Sequence, residues 1–163
     1  MTKHTLVALV EDKPGVLNRV ASLIRRRNFN IESIAVGHSE LPGLSRMTIV
    51  VDGATTAVEQ VRKQLEKLIE VVKLTDITGE GIVARELALI KVHASSSTRS
   101  EIIQIVDIFK AKIVDVGIDS LIVEATGDDA KIDSLYSLLR KFGIKELART
   151  GRIALQREGG GVE

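Results

Sequence analysis

"EDKPGVLNRVASLIRRRNFNIESIAV", residues 11–36, holds a turn, a helix and the start of a strand in one short run. Asp12 offers a side-chain oxygen as an N-cap, and Pro14 suits the first turn of a helix, where its missing N–H has no partner anyway. Val16, Leu17, Val20, Leu23 and Ile24 then recur at helical spacing. Arg25, Arg26 and Arg27 close the helix where cations complement its negative end, which reads as a solvated terminus rather than an anion site. The chain re-enters extended structure at "FNIESIAVGHS" (29–39), with Ile34 and Val36 on one face.

Working outward, "HTLVALV" (4–10) suits a buried strand. "LPG" (41–43) is a turn, and "LSRMTIVV" (44–51) is the hairpin partner of 29–39. Val58, Val61, Leu65, Leu68 and Val72 mark a second helical stripe from Ala54 to Glu70, and "VVKLTDI" (71–77) is a last strand. The order β-α-β-β-α-β is the split βαβ unit of ferredoxin-like folds. "TGEGIVARE" (78–86) reads as a linker, and the pattern begins again. A strand at 86–94 is followed by a helix at 95–109 that Ser97 or Thr98 caps. A hairpin comes next (112–117 and 120–126), then a helix at 128–142 behind Asp128 and Asp129, and "ELARTGRIALQR" (146–157) closes the unit. The expectation is an α+β protein of two tandem ferredoxin-like βαββαβ domains: residues 1–78, a linker at 79–85, residues 86–157, and a disordered tail at 158–163.

Composition narrows the function. Of 163 residues, 44% are hydrophobic and only 2% aromatic, so the cores are aliphatic and no platform of stacked rings is available for bases. The formal net charge of +1 balances 23 basic against 22 acidic residues, which is no nucleic-acid footprint. The absence of cysteine excludes disulfides, thiolate zinc sites and cysteine nucleophiles. The apolar stretch before Glu11 is too short for a signal sequence, and no run approaches the ~20 apolar residues of a membrane span, so a cytoplasmic location is expected. No P-loop, nucleophile elbow or zinc-binding helix occurs. His4, His38 and His93 are scattered and read as satisfied or surface side chains; no metal site and no catalytic cluster is expected. Both faces of the strand at 86–94 are apolar, Ala88 and Ile90 on one and Leu87 and Leu89 on the other, which asks for a partner and suggests a homodimer.

That leaves the opening stretch. A helix start presents free N–H groups and the positive end of the dipole to a carboxylate. Gly15 lets a ligand approach the backbone. Asn30 can both donate and accept, and Asp12 suits an ammonium group, with Val16, Leu17 and Ile31 as an aliphatic wall. These are parts of an amino-acid site, but D-x-P-G is equally an ordinary turn into a helix. Both readings stand at this point.

The same stretch resembles the opening of ACT domains, which bind amino acids and regulate metabolic enzymes. With "GLSRMTIVV" (43–51), "VEQVRKQLEKLIEVVKL" (58–74), "RELALIKV" (85–92), "IVDIFKAKIVDV" (105–116), "TGDDAKIDSL" (126–135) and "ELARTGRIAL" (146–155), the chain is similar up to about Arg157 to the small regulatory subunits of acetohydroxyacid synthase (acetolactate synthase). The resemblance implies a non-catalytic subunit with no cofactor of its own. Its partner would be a large catalytic subunit carrying thiamine diphosphate, FAD and magnesium. The small subunit would activate that enzyme and confer feedback inhibition by valine or another branched-chain amino acid. It also implies an effector site across a dimer interface, with Asp12, Gly15, Val16 and Leu17 from one chain and Asn30 and Ile31 from the other. Many relatives carry Asn where this chain has Asp12, a departure that bears on the ammonium contact. A free-standing amino-acid-sensing ACT protein acting on another enzyme or on transcription is the alternative, and a small enzyme a third reading.

Overall fold

A computed structural model of the chain describes residues 2–26, 29–79 and 81–161. The elements run β1 (Thr2–Glu11), α1 (Val16–Arg26), β2 (Asn30–His38), β3 (Leu44–Gly53), α2 (Thr55–Glu66), β4 (Val71–Asp76), β5 (Ile82–His93), α3 (Arg99–Ile108), β6 (Lys112–Val116), β7 (Ser120–Gly127), α4 (Asp129–Leu139), β8 (Ile144–Arg149) and β9 (Ile153–Gln156). The chain divides into two units, Met1–Val83 with Gly151–Glu163, and Ala84–Thr150.

In the first unit the sheet order is β2-β3-β1-β4, antiparallel throughout, with β1 central. Side chains alternate across a strand, so Leu6, Ala8 and Val10 share one face with Met47, Ile49 and Val51. They bury there against Val16, Val20 and Ile24 of α1 and Val58, Val61 and Leu65 of α2. In the second unit the order β6-β7-β5-β8 repeats the topology. Ala88, Ile90 and Val92 join Leu121, Val123 and Ala125 against Ile102 and Val106 of α3 and Ile132, Leu135 and Leu139 of α4. Both units are the α+β, ferredoxin-like βαββαβ arrangement that the sequence pattern implies.

Several boundaries differ from the expected ones. Asp12 does not cap α1: the helix begins at Val16, and the Arg19 N–H donates to the Gly15 carbonyl at 3.0 Å. The stretch expected as a linker is in part strand, since β5 starts at Ile82; Glu80 lies outside the described residues. Thr98 precedes α3, but its hydroxyl accepts from the Ser95 N–H at 2.9 Å instead of capping the helix. Asp128 does cap α4, accepting from the Lys131 N–H at 2.9 Å. The segment 146–157, expected as one closing strand of the second repeat, is two strands broken at Gly151, where φ is +84°. Residues 151–157 accordingly group with the first unit, not with 86–150. Of the tail expected to be disordered, Glu158–Gly161 form a 3-10 turn, and Val162 and Glu163 lie outside the described residues, as does Arg27 of the basic run.

This break decides what covers the first sheet. On the face away from the helices, the Arg152 guanidinium donates to the Thr5 hydroxyl at 2.9 Å, and Arg46 donates to the Ala154 carbonyl at 2.8 Å. Beneath this strap Thr5, Val7, Thr48 and Val50 are buried. The chain's own C-terminal segment thus covers this face of the first sheet.

In the second unit Glu86 is buried at the edge of the core, held by the Arg149 guanidinium, which also donates to Asp133 at 2.8 Å. Partial burial lowers the proton affinity of Arg149, but the hydrogen bonds to Asp133 and Glu86 outweigh it and hold its pKa above the ordinary arginine value. Removing Arg149 strands the buried Glu86 carboxylate. Arg149→Met is therefore expected to cost about 3 kcal/mol, read from the urea midpoint, and Glu86→Leu in the same chain to restore most of it.

Candidate functional site

The turn after β1 is fixed by backbone bonds where the strand ends. The Asp12 N–H donates to the Gly43 carbonyl at 3.0 Å, and the Glu11 N–H donates to the Glu70 carbonyl at 2.8 Å. Gly15 has φ +86°, a conformation open to glycine, and nothing lies within 4 Å of where its Cβ would stand. The start of α1 thus faces open space; the Val16 N–H donates to the Lys13 carbonyl at 3.4 Å, which leaves the Leu17 and Asn18 N–H groups unused by the helix. The Arg19 guanidinium on the next turn pairs with Glu70.

The candidate residues divide by position. The Asp12 carboxylate is half exposed and lies 3.4 Å from Nδ1 of His38, at the end of β2. Leu17 is 46% exposed beside the helix start. Val16 is not a wall: its side chain is 4% exposed and packs into the core, leaving only its backbone to the site. Asn30 is exposed at the first residue of β2, opposite Asp52 in register, and Ile31 is half-buried against the core.

The two halves lie at opposite ends of one strand. Asn30 opens β2 and His38, beside Asp12, closes it. At ~3.3 Å per residue they are about 25 Å apart, too far for one amino acid to touch both within one chain. β2 is also an edge strand of its sheet.

One histidine keeps to the sequence reading, as a surface side chain, and one departs from it. His38 meets Asp12, a contact that only the β2–β3 hairpin creates. His4 was expected to be satisfied or at the surface, but it is buried in β1 and among the described residues neither ring nitrogen has a hydrogen-bond partner. Among the described residues no group of three His, Cys, Asp or Glu could hold a metal ion, and no helix is long and apolar enough to cross a membrane.

A βαββαβ unit with a glycine turn feeding its first helix fits an ACT-type domain, here followed by a second unit of the same topology. Residues 6–73 match the AHAS small subunit-like ACT domain family, and residues 85–158 match the family described as small subunit of acetolactate synthase. The probable acetolactate synthase small subunit of Archaeoglobus fulgidus is 58% identical over 155 residues, 95% of this chain and 97% of that protein. The acetolactate synthase small subunit of Mycobacterium leprae is 52% identical over 159 residues, 98% of this chain and 94% of that protein. Among solved structures, the acetolactate synthase small subunit from Thermotoga maritima matches with a TM-score of 0.88 and 46% identity, over 96% of this chain and 98% of that one. The chain belongs to the family of acetolactate synthase small subunits.

The geometry separates backbone from ligand effects at the two ends. Gly15→Ala keeps the open space but forces a side chain to positive φ, at an expected cost of about 1–2 kcal/mol. Asn30→Ala, exposed at a strand end, should stay within about 0.5 kcal/mol of the parent in denaturant unfolding.

Proposed function

We propose that this chain is the non-catalytic regulatory subunit of acetohydroxyacid synthase, acting in the cytoplasm in branched-chain amino acid biosynthesis. It activates the large catalytic subunit, which carries the thiamine diphosphate, FAD and magnesium, and makes it subject to feedback inhibition by valine. The observation that carries the reading is the separation of Asp12 and Gly15 from Asn30 along one edge strand. Two copies related by a two-fold axis, with β2 edges antiparallel, would bring the Asp12 end of one beside the Asn30 end of the other. Such a homodimer makes two effector sites, each with halves from both chains.

Each half supplies what an amino acid lacks in water. The start of α1 offers N–H groups and a positive dipole end to the carboxylate. The Asp12 carboxylate suits the ammonium, and the Asn30 amide can donate to one group and accept from the other. Leu17 and Ile31 give an aliphatic surface to the side chain. One methylene in such a pocket is worth ~1–3 kcal/mol, which ranks branched-chain amino acids only loosely.

The test is reconstitution with the large subunit, and pull-down with and without valine. The large subunit should be retained and activated, and valine should inhibit it. Gly15→Asp places a carboxylate at the positive end meant for the ligand's, and Asn30→Ala removes hydrogen bonds to charged groups worth about 1.5–3 kcal/mol, ten-fold or more in affinity. Both variants should still activate the enzyme while losing valine sensitivity. If both remain fully valine-sensitive, the turn and the Asn are architecture only; if no large subunit associates, the regulatory assignment fails. Sedimentation at micromolar concentration should give a dimer, and a monomer would sink the shared site.

A further inference from the structure

A cavity lies under the strap, on the face of the first sheet opposite its helices. It measures about 280 Å³ and is lined by Val7, Leu9, Arg46, Lys73, Thr75, Ile77, Leu155 and Gln156. That volume is at the small end of ligand cavities, so it bounds an occupant to a small molecule.

Register builds the arrangement. Leu9 of β1 stands directly opposite Arg46 of β3 on one side and opposite Lys73 of β4 on the other. The two cations therefore flank Leu9 in one cross-strand row, with Cα atoms about 10 Å apart at the usual strand spacing. One step along, Val7 stands opposite Thr75 on β4, so a hydroxyl follows the cations by one row on the same face. Leu155 and Gln156 of β9 complete the lining, tied down by the bond from Arg46 to the Ala154 carbonyl.

The charges have no counterpart. Among the described residues neither Arg46 nor Lys73 forms an ion pair. The nearest acid on this face along β1, Glu11, is already met by the Lys13 ammonium at 2.9 Å. Two like charges at the rim of one concave site focus a field that attracts an anion. A guanidinium fork receives a carboxylate in particular.

We propose that this cavity binds a short aliphatic carboxylate bearing an oxygen substituent next to the acid, a 2-oxo or 2-hydroxy acid. Arg46 and Lys73 take the carboxylate, the Thr75 hydroxyl takes the neighbouring oxygen, and Val7, Leu9, Ile77 and Leu155 enclose the aliphatic body. A free amino acid is disfavoured, because its ammonium would face two cations and the lining holds no carboxylate to receive it. The site is separate in its residues and in its chemistry from the effector reading above, and does not depend on it.

The test is calorimetry on the full chain with four probes: α-ketoisocaproate, isocaproate, leucine and inorganic phosphate. α-Ketoisocaproate should bind saturably, one per chain, and more tightly than isocaproate. Leucine and phosphate should fail to displace it. Lys73→Met, a change at an exposed position that leaves the fold intact, should weaken it at least ten-fold; Arg46→Met should do the same if the melting temperature shows that the strap holds. Asn30→Ala should leave it unchanged. No saturable binding, binding indifferent to Lys73→Met, or equal displacement by phosphate would each overturn the proposal.

Discussion

The central strand β1 is paired on both sides, and the parity of its residues assigns a task to everything in the first unit. Leu6, Ala8 and Val10 point to the helices and are almost wholly buried; Thr5, Val7 and Leu9 point the other way. A slip of one residue against β3 would exchange the two sets, placing Thr5 in the aliphatic core and Leu6 under the strap. The register also fixes which side chains meet across three strands, so the Arg46–Leu9–Lys73 row and the Met47–Ala8–Leu74 row beside it follow from the same pairing. Where β1 ends at Glu11, bonds to Gly43 and Glu70 aim the chain into the glycine turn. Core, strap surface and helix start are thus consequences of one register.

Much of this was legible because the periodicities are strong. Val20, Leu23 and Ile24 recur at helical spacing and Met47, Ile49 and Val51 alternate onto one face, whereas 86–94 is apolar on both faces and only packing selects Ala88, Ile90 and Val92 for the core. Gly15 was legible as a turn, and its positive φ gives the physical reason. The C-terminal segment was not. "ELARTGRIAL" reads as one extended run because Gly151 is compatible with a strand as well as with a break. Contacts with residues far away in sequence, among them Thr5 and Arg46, hold the segment beyond that turn. Of the candidate site, residue types were legible but directions were not. Val16 satisfies the apolar criterion for a pocket wall and for a core equally well, and packing against Val20 and Ile24 chose the core. His38 carries no signal in sequence that would connect it to Asp12, twenty-six positions away.

The two repeats solve the same topological problem differently. Each sheet has one face closed by two helices, and the other face is left by the connection order. In the first unit that face is closed by the chain's own C-terminal strap, which brings Ala154 to 4% exposure. In the second, Leu89 remains 41% exposed beside Lys91 and Ile122. The same fold therefore tolerates two outcomes, because the core is complete with one face covered and the second contributes only what its cover adds. The repeat with the glycine turn is also the one whose far face is capped by distant sequence.

On the shared-site reading, the distance along β2 has a thermodynamic consequence that a site within one chain would lack. An effector that touches the start of α1 in one copy and Asn30 in the other binds the dimer and not the separated chains. Its binding free energy then adds to dimer stability as RT ln(1 + [L]/Kd) for each site, about 2.7 kcal/mol at a hundred-fold excess over Kd. Linkage is reciprocal, so whatever holds the β2 edges together also raises effector affinity. Asp12 enters this balance through its neighbour. Its carboxylate already has His38 at 3.4 Å, and a ligand ammonium must share or displace that contact. The pair is exposed on both sides, so the contact is worth little, of the order of 0–1 kcal/mol, and costs the ligand correspondingly little to take over.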